Sequence, residues 1–391
     1  MLVSIKTIEL VILFLLGIEL FQMEMPILTV LFFIILMTSI KKHIGLRISA
    51  ELIVLSVCFT INYFVLLFRN EASLSIFYII RSWLGPIMAY LIGYFMVDKK
   101  NSVLIKVISV LGIGFFIHGF LNLISSSNLT VSSRSATNFW TGRPVTATLQ
   151  STYFIIAIGV SVYWLFFYKK KYKFFGIVII FCVLWNAMLT ASRTPLFLTG
   201  LMLIIGYALK QLNIGDKKSM FIKMVKLFLG LGVITIILIL LYHYNVFNIK
   251  AIFEKSYLGI RLAGIENETA MSRSESWSIA LWGILKNPFG FKVNHYAHNL
   301  WLDFGITSGV FPFLLLILYF VMIVDTLIKK IRNRVLGIRE STLIVLVYFC
   351  MCVSFMLEPI LQGVPFLFFA FCIINGGVAS LNNKKVECYK K

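Results

Sequence analysis

A chain of 391 residues in which 60% of side chains are hydrophobic, 15% aromatic and only 13% charged departs from soluble domains, which are nearer half apolar and a quarter charged. Lys and Arg number 36 against 16 Asp and Glu, and the resulting net charge of +20 suggests nucleic acid until the 36 Phe and a mean hydropathy of +0.93 are weighed. Those exclude a soluble nucleic-acid-binding domain and indicate an integral membrane protein, long enough for about a dozen spans of roughly 20 apolar residues each.

In chain order, apolar runs between polar breaks predict twelve spans: 7–22, 25–40, 48–68, 74–97, 102–124, 149–168, 174–190, 195–209, 227–245, 299–328, 340–357 and 360–381. The first two are short and are joined through Glu19 to Pro26. No small-residue cleavage site follows the first run, so it is expected to remain as a span. The six cysteines lie mostly in apolar runs without metal-like pairing and read as small core residues. The expected fold is all-α: a single polytopic membrane domain over 1–391 with about 12 transmembrane helices.

Orientation follows from charge. Alternate breaks carry Lys41-Lys42, Lys99-Lys100, Lys169 to Lys171, Lys217-Lys218 and Lys329-Lys330 with Arg332 and Arg334, and the chain ends in Lys390-Lys391. Placing these inside by the positive-inside rule puts both termini in the cytoplasm. Two outer loops are then long. One, 125–148, is rich in Ser and Thr and carries Arg134 and Arg143. The other, 246–298, is a large late extracytoplasmic loop that holds Arg261, Glu266, Glu268, Arg273, Glu275, His295 and His298.

Lysine and arginine divide unequally across this topology. Of 25 Lys, 21 are cytoplasmic, whereas seven of the 11 Arg are outer or intramembrane: Arg69, Arg81, Arg134, Arg143, Arg193, Arg261 and Arg273. Either residue orients a span, but only the planar guanidinium grips phosphate through two parallel hydrogen bonds. Arg81 sits roughly seven residues into its span, about 10 Å deep, where an ionised group is costly unless it snorkels or pairs with an acid. Arg193 falls in Thr190-Ala191-Ser192-Arg193-Thr194-Pro195, where Thr194 is expected to cap the next helix and Pro195 to sit in its first turn. That places Arg193 beside free amides that favour an anion. Ser272-Arg273-Ser274-Glu275 predicts a capping box that opens an interfacial helix near 273–286, ended by Asn287-Pro288, with Trp277, Leu281, Ile284 and Leu285 on one face. His298 precedes the tenth span. A single outer imidazole of near-neutral pKa suits a general base for a hydroxyl nucleophile, and an interfacial His without chemistry is the competing reading. His295 and His298 lack a third metal-like ligand.

Together these residues resemble a known family, the bacterial O-antigen polymerases and ligases. The resemblance rests on the Ser192-Arg193-Thr194 break, on Arg273 with Trp277, on Asn287-Pro288-Phe289-Gly290, and on the His298-Asn299 pair followed by Leu302, Asp303 and Gly309. It is best over roughly residues 185–310, in the order and spacing of the motifs. Many relatives carry Glu two residues before the glycine aligned with Gly309, where this chain has Thr307, and the glycine-rich turn before the His is reduced to Gly290. Both departures point away from the ligase branch.

The resemblance implies a metal-independent, inverting glycosyltransferase of a bacterial inner membrane that needs no cofactor. Its substrate is a glycan repeat on undecaprenyl diphosphate at the outer leaflet. Arg193 and Arg273 are implied to hold the diphosphate, and His298 to activate the acceptor hydroxyl. Arg81 and Arg143 are added from the arginine distribution as candidate diphosphate or glycan contacts; Arg261, Glu275 and Asn299 complete the expected substrate-binding set. The favoured activity is polymerisation of O-antigen or capsule, with a chain-length regulator and a flippase as partners besides membrane lipid. The alternatives are a ligase that moves finished glycan to lipid A–core or another acceptor, and a flippase for the same lipid-linked sugars.

Overall fold

The computed structural model describes residues 5–42, 45–68, 76–98, 100–126, 135–213, 240–241, 243–245, 268–291 and 297–381. They form an all-α, multi-pass bundle, in which nine helices among the described residues are long and apolar enough to cross a membrane. The expected span 227–245 lies almost wholly outside the described residues, as do Arg134, Arg261, His295 and most of the late loop.

The helices are α1 (Ile5–Gly17), α2 (Glu24–Lys41), α3 (Ala50–Phe68), α4 (Ile76–Val97) and α5 (Asn101–Ser125). A short antiparallel ribbon of β1 (Ser135–Thr137) and β2 (Pro144–Thr146) follows, then α6 (Ala147–Thr152), α7 (Ile155–Phe167), α8 (Lys170–Thr190) and α9 (Arg193–Asn213). The later part holds α10 (Glu268–Lys286), α11 (Leu300–Ser308), α12 (Val310–Arg332), α13 (Ile338–Leu357), α14 (Ile360–Gly363) and α15 (Pro365–Ser380).

α7 is the hub. Every residue from Ile155 to Trp164 is buried, as expected of a helix apolar on all sides, and α5, α8, α9 and α13 pack around it. α12 shows the opposite arrangement. Leu316, Tyr319, Phe320, Ile323 and Leu327 face inward at helical spacing, while Phe311, Leu314, Leu318, Val321 and Val324 are exposed and apolar, a surface suited to lipid. The tightest seam joins α4 to α15. A Cβ at Gly93 would collide with the carbonyl oxygen of Ile373, and one at Gly376 with that of Tyr90, so only glycine lets these backbones meet. Beside this seam, Asn375 of α15 donates to the Tyr319 hydroxyl of α12 (2.8 Å) and accepts from the Tyr348 hydroxyl of α13, tying three helices through one buried amide.

The run 149–168 is one near-continuous span, Ala147–Phe167, with only a local turn at Tyr153 and Phe154 between α6 and α7. Two expected spans are subdivided. The run 360–381 is split before Pro365, which starts α15. The run 299–328 breaks at Gly309 (φ 91°). There the Asn287–Gly290 turn docks against the chain: Val310 donates to the Pro288 carbonyl (3.0 Å) and Phe291 to that of Ile306 (2.9 Å). A Cβ at Gly309 would collide with the Pro288 carbonyl oxygen, so the break depends on glycine. An unbroken apolar pattern carries no sign of this docking.

Candidate functional site

Two helix starts differ from expectation. α10 begins at Glu268, not at Ser272, because Glu268 to Met271 contain nothing that stops a helix. Ser272 therefore lies within the helix and not at its start, and Arg273 falls in the second turn. α9 begins at Arg193 itself, so Thr194 is a helical residue and not a cap. The preceding α8 closes with Ala191 in the left-handed region (φ 51°) and with Ser192 N–H donating to the Ala187 carbonyl at 3.1 Å, a Schellman closure made without glycine.

The expected apolar stripe of α10 is also divided. Ala280 and Ile284 pack with Ala297, Leu302 and Ile306, and Trp277 joins that cluster, whereas Leu281 and Leu285 are exposed beside Ile279 and Trp282. This packing positions Arg273. One turn beyond it, the Trp277 indole N–H donates to the Ala297 carbonyl at 2.9 Å, holding the segment that bears His298 against the same helix.

His298 is exposed and adopts a left-handed backbone (φ 53°), a conformation that costs a β-carbon-bearing residue roughly 1–2 kcal/mol. It persists because Asp303 grips both neighbours: one carboxylate oxygen accepts from Ala297 N–H (2.6 Å) and the other from Asn299 N–H (3.0 Å). Asn299 is buried. Its Oδ1 caps α11 by accepting from Trp301 (3.0 Å) and Leu302 (3.3 Å), and its Nδ2 donates to the Met356 carbonyl at 3.3 Å. This last bond ties the His298 segment to the end of α13, two residues before Glu358.

Glu358 is 2% exposed. Burial pushes its carboxyl up to about 7, against the opposing effects of the Arg273 guanidinium and the Thr148 hydroxyl. Arg273 also acts on His298, where partial burial and then that cation hold the imidazole below its ordinary value. Arg273 is thus electrostatically shared by a histidine kept neutral at physiological pH and by a carboxyl near its titration point. Thr148 extends the site to α6, whose Leu149 packs where Gly363 lacks a side chain. On α6, Ser151 donates to the Ser192 hydroxyl at 2.7 Å, which fastens the turn bearing Arg193 to the same small helix.

Of the residues expected from sequence, Arg273 and His298 are therefore brought together, and Arg193 is attached through Ser192 and α6. Arg193 and Glu275 are exposed. Arg143 is exposed beyond the turn of the β1–β2 ribbon, its carbonyl accepting from Asn138 N–H at 2.8 Å. Arg81 belongs to a separate group, 3.9 Å from Glu24 and 5.9 Å from the Tyr78 ring centre. On α1's exit lies a sealed polar cluster that the sequence reading did not single out: Glu19 accepts from the Tyr153 hydroxyl at 3.1 Å and lies 3.4 Å from His118 Nδ1. Glu358, Asp303 and Thr148 were likewise not among the expected site residues. Glu358 did leave a signal, as an acid followed by Pro359 in a short break between two apolar runs.

No family model and no curated protein matches this chain.

Proposed function

We propose that the protein is a membrane glycosyltransferase that extends a surface polysaccharide by whole repeat units carried on undecaprenyl diphosphate. The observation that carries this reading is the sharing of Arg273 by His298 and Glu358 at one end of the bundle. A fixed cation there can neutralise a diphosphate beside a neutral imidazole that can take a proton. The acceptor hydroxyl gives its proton to His298 and its oxygen bonds to the anomeric carbon of the donor. The bond from that carbon to the diphosphate breaks, and undecaprenyl diphosphate leaves with its electron pair, its charge held by Arg273 and Arg193. A single displacement inverts the carbon.

The lysine-rich ends of α2, α8 and α12 support placing this site on the outer side of a bacterial inner membrane, with both termini inside. Twelve spans and a large late outer loop complete the proposed topology. Deletion of the gene followed by electrophoresis of the surface glycan tests the reading. Loss of the long ladder with a single-repeat product retained is the expected result. Accumulation of long lipid-linked chains would instead indicate a ligase, single repeats trapped on the cytoplasmic side a flippase, and an unchanged ladder would refute all three.

A further inference from the structure

The two ends of the candidate site make opposite chemical demands. At one end Arg273 supplies positive charge and N–H donors. At the other, Glu358 Oε2 and Gln362 Oε1 are buried oxygens without a hydrogen-bond partner in the structure. Leaving a buried acceptor unsatisfied is costly, and a group kept in that state invites a ligand that completes it.

Both oxygens belong to the short connector that ends α13 and forms α14, and the backbone there is already committed. Glu358 N–H donates to Ser354 (3.0 Å), Ile360 N–H to Glu358 (3.0 Å) and Gly363 N–H to Pro359 (2.8 Å). Leu149 fills the space beside Gly363, so the connector is held against α6. A phosphate placed here would set its own oxygens against these acceptors. A ligand rich in O–H donors would satisfy them, and the Thr148 hydroxyl beside Glu358 adds a group that can both donate and accept.

We propose that Glu358 and Gln362 form a sugar-hydroxyl subsite that fixes the direction of the bound substrate, diphosphate toward Arg273 and sugar ring over the α13–α14 connector. This rests on the reading of this end of the bundle as a glycan-transfer site and adds to it a polarity and two recognition residues. Arg273 and Glu358 then divide the work: the cation takes the anionic linkage, and the carboxyl and amide take neutral hydroxyls that a free diphosphate lacks.

The test is carbodiimide labelling of Glu358 in the purified full-length protein, read by mass spectrometry, with two probes offered separately. One is a short oligosaccharide released from the host's own surface polysaccharide; the other is inorganic pyrophosphate. The oligosaccharide is expected to slow labelling of Glu358 and pyrophosphate to leave it unchanged, with the exposed Asp325 of α12 as an internal reference that neither probe affects. Q362A should need about tenfold more oligosaccharide for the same protection, the equivalent of one lost hydrogen bond. R273A should keep the oligosaccharide effect. Protection by pyrophosphate, equal labelling with both probes, or unchanged protection in Q362A would overturn the assignment. Because this readout needs no turnover, it is separate from gene deletion. An intact ladder after deletion removes the polymerase reading, while oligosaccharide protection would still establish the subsite.

Discussion

The α4–α15 seam and the Arg273–His298–Glu358 end both gather polar groups between helices, but they use them differently. At the seam, glycines remove side chains so that backbones meet, and Asn375 has a partner for each of the two hydrogen bonds it makes across helices. At the other end, a non-glycine residue is held at positive φ, and two buried oxygens lack donors. Close backbone packing and satisfied hydrogen bonds account for the seam. They do not explain the end, where backbone strain and unmet hydrogen bonds are retained in the way that binding sites retain them.

The seam should be the harder of the two to disturb without losing the protein. Gly93→Leu would drive a branched side chain into the Ile373 carbonyl, which belongs to rigid backbone. We expect near-complete loss of the protein from the membrane fraction by immunoblot. Gly200→Ala is the contrast, since nothing lies within 4 Å of a Cβ there, and abundance should remain at the wild-type level. Equal abundance of both variants would erase the distinction drawn for the seam.

At the polar end the expected effect is on function. His298→Ala and Arg273→Ala should each reduce polymer formation at least a hundredfold, the scale of a lost general base or charge stabiliser, with membrane abundance unchanged. Normal surface-glycan length in both would sink the site. Asp303→Asn is expected to be milder. An amide offers one acceptor where the carboxylate serves the N–H groups of both Ala297 and Asn299, and it turns an NH2 toward the second donor. With the His298 backbone less firmly held, chains should shorten while some long product persists; full-length product would show that the clamp does not matter.

The sequence made some of this readable and hid the rest for a definite reason. Apolar runs locate α2, α3, α5 and α13 to within a few residues, because a membrane helix needs a long uninterrupted apolar stretch. They fail at Gly309 and Pro365, where the chain breaks in response to a docked neighbour or a short turn. Arg193 and His298 stand out as polar residues at the edges of such runs, and Arg273 as a cation near the start of an expected interfacial helix. Glu358 also lies at such an edge, but what distinguishes it comes from Arg273 and Thr148, far from it along the chain. Helices apolar on several sides do not record in their periodicity which neighbour they meet, so that convergence had to be seen in three dimensions.

The smallest predicted effect probes the same contrast through pH. The Glu358 carboxyl has its folded-state value raised to about 7, whereas in the unfolded chain it returns toward the ordinary 4.5. Between these two values the folded protein binds more protons than the unfolded one, so stability falls as pH rises through that window, and the contribution is present in full only below it. Glu358→Gln removes the titration while preserving shape. Relative to wild type, the variant should therefore gain thermal stability at pH 8 compared with pH 5, by about a few degrees in midpoint. A gain confined to pH 5, or none at either pH, would show that the carboxyl is already charged and satisfied in the folded protein. The polar end would then resemble the seam more closely than its geometry implies.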